Sequence, residues 1–511
     1  MNITLLLLII FAYFLVLLAL AYFTSKNSNN QSFFIGNRKS KWWLVAFGMI
    51  GTSLSGVTFI SVPGTVGKLG ADYPFGGFEY FMLVIGNFLG YFLVAFLLLP
   101  LYYRMNLTSI YTYLGRRFNT EAHQTGSIFF IISRCIGATA RLYLVINVLQ
   151  IFLLNRIGIP FWLTTAVILL MIVLYTFEGG VKTIVFTDTL QTSFMLISLI
   201  VCIAYILSQM DISVGNAYQI MEQKDYARFL NLDFTSKTFF LKSVLGGMFI
   251  TIAMTGLDQE MMQKNISVKN LRDSKKNMLT FSFISLIVNF LFLFLGGLLY
   301  LYAQQAGGAY ADGGFFMPKN APSVMGDDLF PALSLNGYFP MTISVIFIIG
   351  LVSALFPSAD GALTAVTSSF CIDLLGLNKT ESQNGEEEKR KKRTRISIHL
   401  IFTVIFFLLI MIFKWINEKS IVYLIMEVAG YTYGPLLGLF AFGIFTKRVI
   451  NLKKGIIITA LLAPILTWLI NYATSNFGYK FGVELIIFNG LLTFIGLWLI
   501  SQKSNINSEK S

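Results

Sequence analysis

The chain has 511 residues, of which 56% are hydrophobic and only 12% charged, with a formal net charge of +13. Apolar runs of about 20 residues or longer exclude a soluble globular domain and a barrel of alternating strands, and specify an all-α polytopic membrane protein. Three separate cysteines (Cys135, Cys202, Cys371) without a CxxC pair and two distant histidines (His123, His399) give neither a disulfide framework nor a zinc centre, and basic loops on one side of a membrane explain the positive balance better than nucleic acid does.

In chain order the pattern predicts about thirteen transmembrane helices, near 3–23, 43–64, 77–103, 125–154, 160–177, 185–208, 238–262, 277–303, 337–374, 396–415, 420–446, 455–474 and 481–501. The first has no basic n-region and no clear cleavage site, so it reads as a retained helix rather than a signal peptide. The ninth is too long for one span and predicts a helix that continues past the interface. With the N-terminus outside, the inner loops collect Lys26, Arg38, Lys39, Lys41, Arg104, Arg116, Arg117, Lys182, Lys264, Lys269, Arg272 and the 389–395 cluster; the positive-inside bias therefore predicts N-out/C-in. Of the two long outer loops, 209–237 and 304–336, the second is Gly- and Pro-rich and reads as a structured or mobile external loop. The run Glu386–Arg393 reads as a solvated linker, with an anionic-lipid contact as the second reading. Residues 502–511 read as a disordered tail.

The second segment contains an interruption at 51–64, where three Gly, a Pro and several hydroxyl residues weaken the helix. Such a stretch is either a broken helix that exposes backbone carbonyls for an ion and a substrate, or a small-residue packing face. Ionisable residues inside spans are functional candidates by default; here they are Glu79, Arg134, Arg141, Asp188, Asp258 and Asp360. Asp188, flanked by hydroxyls, reads equally as a cation ligand and as a helix cap. In the ninth segment Pro357 frees a carbonyl and Ser358 and Asp360 add oxygens, which favours an ion site over a packing kink. Arg134 and Arg141, seven apart, share a helix face and suit either a substrate carboxylate or the neutralisation of Glu79, Asp188 or Asp360. Gly430–Gly434 in the eleventh segment reads as a gating element or as close packing. No catalytic triad, metal-ligand spacing or phosphate-binding loop is present, so the chain is not read as an enzyme and no cofactor is expected.

Three motifs give these features a context: Ser55–Gly64, followed by Leu99–Arg104 and Thr108–Phe118; Gly256–Lys264 at the end of the seventh segment; and Tyr433–Arg448. With them the chain resembles the sodium:solute symporter family over about residues 5–480. The resemblance implies a LeuT-type fold with a 5+5 inverted repeat, spans 43–208 and 238–446, and peripheral helices at 1–23 and 455–501. It implies a sodium site built from Gly51 and Leu54 with Ala354, Pro357 and Ser358. Pro357 departs from the family pattern, which has a hydroxyl there. It implies a second sodium at Asp188 and Asp360, and substrate contacts at Ser55, Thr58, Glu79 and Asp258. A fourth-span arginine binds a carboxylate in sialic acid members, and Arg141 is the candidate for that role. The implied function is sodium-coupled symport of a small polar solute, a sugar or an acidic sugar such as sialic acid. A monocarboxylate, an amino acid, an inorganic anion and proton coupling are the alternatives. Na+ and the solute would be the partners of a monomer in the bilayer of the inner (plasma) membrane.

Overall fold

The computed structural model describes residues 3–25, 38, 40–67, 75–176, 180–311, 314–318, 320–324, 326–377, 385–416, 421–452 and 454–503. Among these, eight helices are long and apolar enough to cross a membrane. Three further pairs of helices meet that test together but bend sharply at a short break, and two shorter apolar helices are Phe161–Thr176 and Leu485–Ile500. Each of these elements falls on one of the segments expected from hydropathy.

Where the helices differ from the sequence reading, local chemistry explains it. The fourth starts at Thr120 because Asn119 caps it, its side chain accepting from the Ala122 amide at 2.9 Å. The tenth starts at Gly385, so the acidic and basic run expected to be a linker forms its opening turns; Glu386, Glu387 and Glu388 lie there, where the helix dipole favours negative charge. The ninth, Met341–Ser369, runs through Pro357 without a break. A single proline removes one donor, leaving the Ser353 carbonyl without its helical partner, and burial on all sides holds the rest. The loop 304–336, expected outside, is structured where it is described: β1 (Ala309–Ala311), β2 (Gly314–Met317) and β3 (Asn320–Val324) form an antiparallel sheet in that order, followed by the helix Leu329–Leu335. The tail expected to be disordered, 502–511, lies beyond Lys503 outside the described residues.

The three breaks organise the interior. The second span is split into Trp42–Ser53 and Gly56–Gly64, with 53° between them. Ser55 is extended, and its hydroxyl accepts from the Val57 amide. The seventh span is split by 63° into Phe240–Gly256 and Gln259–Ile266. Sequence alone ended this span at the motif and placed Lys264 in a loop. Instead the segment is wholly buried, because its charges find partners on neighbouring spans. A wide turn at Ile252–Gly256 precedes this break, and Asp258 caps the new helix by accepting from the Met261 amide at 3.2 Å. The eleventh span bends by 46° between Tyr423–Thr432 and Gly434–Phe445. There the Asn489 amide of the last span donates to the carbonyls of Gly430 and Tyr431.

These broken spans are packed by the long ones. The sixth span (Gly180–Met210) lies against the ninth and against Trp42–Ser53, and the third (Tyr80–Leu93) against Phe240–Thr251. That last pair approaches backbone to backbone at Gly86 and Gly247, neither of which has room for a Cβ. The first span, Ile3–Ser25, covers the fifth, sixth and ninth and turns Leu8, Phe11, Leu15 and Val16 outward, as a lipid-facing surface requires.

Candidate functional site

A half-open cavity lies where the breaks of the second and seventh spans meet the third, fourth and eleventh spans. Ser53, Ser55 and Thr58 enter it from the second-span break. Asn87 and Tyr91 come from the third span, Arg134 and Arg141 from the fourth, Thr251 and Thr255 from the seventh, and Ile425 and Met426 from the eleventh. Thr251 donates to the Asn87 side-chain oxygen at 3.1 Å, which fixes that wall. The lining among the described residues is thus rich in hydroxyls, with one amide (Asn87), two guanidinium groups and no carboxylate.

The two arginines differ. Arg134 is hydrogen-bonded to Glu260 and lies 3.7 Å from Asp258. Arg141 is paired with no carboxylate among the described residues. Of the residues expected to contact substrate, Ser55, Thr58 and Arg141 line the cavity. Glu79 and Asp258 do not. Glu79, 2% exposed at the start of the third span, accepts from Arg228 at 2.6 Å and from Thr238 at 2.9 Å. Asp258 is occupied by its capping bond, by Arg134 and by the Tyr433 hydroxyl, which donates to it at 2.9 Å.

The residues expected to hold sodium fall on two packed elements. Gly51 and Leu54 lie at the end of the helix Trp42–Ser53, whose last-turn carbonyls lack helical donors. Ala354, Pro357 and Ser358 lie on the ninth span, which packs against both halves of the second. The Ser358 hydroxyl donates to the Leu355 carbonyl at 3.0 Å, leaving its oxygen lone pairs free to accept or coordinate. Asp360 accepts from the Tyr175 hydroxyl at 2.7 Å. Asp188 faces the second span beside Gly48 and accepts from Thr52 at 3.1 Å and from the Lys264 ammonium at 2.7 Å.

Lys264 and Glu260 are the residues that sequence reasoning missed. They stand four apart on Gln259–Ile266, with 3.6 Å between Lys264 Nζ and Glu260 Oε1. Together they complete a buried ionic chain: Tyr433, Asp258, Arg134, Glu260, Lys264, Asp188. One end is beside the cavity and the other is on the broken second span. The signal was the i, i+4 spacing of Glu260 and Lys264 inside the motif 256–264.

A helical membrane protein whose broken spans converge on a half-open cavity of mixed polar and apolar lining is built as a secondary transporter. The profile of the sodium:solute symporter family matches residues 33–462, and the chain belongs to that family. The sodium/sialic acid symporter NanT of Aliivibrio fischeri is 24% identical over 496 residues, 96% of this chain and 91% of that protein. The sodium/sialic acid symporter SiaT of Proteus mirabilis is 23% identical over 433 residues, 84% of this chain and 82% of that protein. Among solved structures, a substrate-bound, outward-open Na+-coupled sialic acid symporter superposes with a TM-score of 0.80 at 19% identity, covering 98% of this chain and 99% of that one. A closed nucleobase-cation-symport-1 family transporter superposes with a TM-score of 0.52 at 11% identity, covering 93% and 95%. The fold is therefore LeuT-type, and the chain is a sodium-coupled solute symporter, a transporter rather than an enzyme, with Na+ as the coupling ion.

Proposed function

We propose that the solute is a small polyhydroxylated monocarboxylate, an acidic sugar such as sialic acid, moved with sodium by alternating access. The observation that carries this reading is Arg141. It lines the cavity without a counter-ion, while Asp258 and Glu260 are taken up by Arg134, and Glu79 by Arg228. Half-buried and paired with no carboxylate among the described residues, this guanidinium favours an anion, and its planar fork suits a carboxylate. Ser53, Ser55, Thr58, Asn87 and Tyr91 around it supply donors and acceptors for sugar hydroxyls. The full-length relatives NanT and SiaT, named for sialic acid, support the same class.

In this reading sodium binds first, to the carbonyls of Gly51 and Leu54 and to Ala354 and Ser358, with Pro357 contributing no hydroxyl. It joins the broken second span to the ninth and so completes the cavity wall that carries Ser55 and Thr58. Solute then favours closure, in which repeats 43–208 and 238–446 rock against each other and the bend of the eleventh span closes over Ile425 and Met426. Because the two ligands share one coupling free energy, solute raises sodium affinity by the factor by which sodium raises solute affinity. The membrane potential adds roughly 2.3 kcal/mol per charge per 100 mV. The protein works as a monomer in the inner (plasma) membrane, N-out/C-in, with helices 1–23 and 455–501 at the periphery and lipid and no nucleic acid around it.

The test is thermal unfolding of the purified protein in sodium and in potassium, with sialic acid, galactose and lactate. Sialic acid is expected to stabilise only in sodium, by about 2.7 kcal/mol at a hundredfold excess over Kd. Stabilisation by galactose equal to that by sialic acid would remove the carboxylate, and stabilisation indifferent to sodium would remove the coupling.

A further inference from the structure

We propose that Lys264 is a tethered cation that fills the position beside Asp188 where a second sodium would sit, so that the chain binds and moves one sodium per cycle. The inference rests on sodium coupling and not on the identity of the solute.

Lys264 is 2% exposed, deep among the second, sixth and seventh spans. Its ammonium donates to Asp188 Oδ2 at 2.7 Å and to the Thr52 hydroxyl, and Glu260 Oε1 lies 3.6 Å away. A carboxylate, a hydroxyl and a further carboxylate oxygen are the hard ligands that a small monovalent cation needs. The ammonium has the charge of Na+ and three donors to spend on such oxygens. Unlike sodium, it cannot leave, because it is carried on Gln259–Ile266, whose other end is held by the Asp258 cap.

Electrostatics then disfavours a second mobile cation at this place. Two unit positive charges 4 Å apart repel by about 4 kcal/mol at an effective dielectric constant of 20. The neighbouring carboxylates offer little to offset that: Glu260 is shared with Arg134, and Asp360 accepts from Tyr175. The site proposed at Gly51, Leu54, Ala354 and Ser358 is the one left for the coupling ion. Asp188 Oδ1 has no hydrogen-bond partner; a sodium lodged against it beside the ammonium is the arrangement that would defeat the proposal.

Equilibrium binding of radioactive ²²Na+ to the purified full-length protein decides between them. The wild type is expected to bind about one sodium per chain with a Hill coefficient of about 1. Lys264→Met, which keeps most of the length of the side chain and removes its charge, should release Asp188 and Thr52 and raise both values to about 2, whereas Lys264→Arg should leave them at about 1. Two sodium ions per wild-type chain would overturn the proposal, as would a Lys264→Met protein that binds one with unchanged affinity. Should Lys264→Met fail to fold, the wild-type count still decides. No sodium binding at all would overturn the coupling itself, a result distinct from a count of two.

Discussion

The second span bends by 53° at its break and the seventh by 63°, and in the proposed repeats each is the opening helix of its half. The geometry is shared but the chemistry is not. At the second-span break the cap is Ser55 and the neighbours are Gly51, Thr52, Ser53 and Thr58, all neutral. At the seventh the cap is Asp258, followed by Glu260 and Lys264. At the neutral break Thr52 is held by Asp188 and Lys264, while Ser53, Ser55 and Thr58 line the cavity, where ligands can come and go. The charged break has its polar groups bound to the fourth, sixth and eleventh spans. In the proposed function the first break is an exchange site and the second is a fixture that holds it in place.

The largest expected effect tests the fixture. Glu260→Ala leaves Arg134 and Lys264 with weakened partners, and should destabilise the protein by about 3–5 kcal/mol, read as a fall in the thermal midpoint or loss of monodisperse protein. If it proves no worse than a substitution at the neutral break, the contrast fails. Next comes the cavity. Arg141→Gln should weaken binding of an acidic sugar by about 1.5–3 kcal/mol, roughly 10- to 150-fold in apparent affinity, while leaving solute-free stability unchanged or higher. A proportional loss of solute-free stability would make Arg141 structural. Ser55→Ala removes the cap of Gly56–Gly64 and should destabilise by about 1 kcal/mol, far less than Glu260→Ala. The smallest effect is Pro357→Ser, which restores both a helical donor and a hydroxyl opposite the neutral break. The half-saturating sodium concentration should fall by about 2- to 10-fold, corresponding to about 0.5–1.5 kcal/mol; an increase would show that the proline itself shapes the site.

The same contrast explains what could be read from the sequence. The second-span break is written in local composition, since glycine and hydroxyl residues inside an apolar run weaken a helix wherever they stand. Nothing comparable marks 256–264, which has a single glycine and no proline. There the break depends on Asp258 capping a helix that is buried only because Arg134 and Asp188, far away in sequence, neutralise it. By position Lys264 belongs with the basic loop residues, and only its partner on the sixth span moves it into the core. Glu79 shows the converse: its polarity inside a span points to a ligand, but its carboxylate goes to Arg228, 149 residues away in an outer segment. Pro357 carries a local signal for a break that does not occur, because one missing donor is tolerated in a helix packed on every side. Hydropathy thus located the spans, and long-range charge pairing, which leaves no local trace, decided which polar residues reach the cavity.

The Asn489 amide has a consequence for biosynthesis. It satisfies the Gly430 carbonyl from 59 residues further along the chain, on the last span, and Gly434 packs directly against its side chain. While the ribosome is still making Leu485–Ile500, the Gly430 and Tyr431 carbonyls lack the Asn489 donor. The bend should therefore settle only after translation ends, and a nascent chain stalled before Leu485 should be cut by protease near 430–434 where the finished protein is not. A polypeptide fused to the C-terminus is best joined beyond Gln502, where the backbone pairing with Val449 has closed the last span against its neighbours.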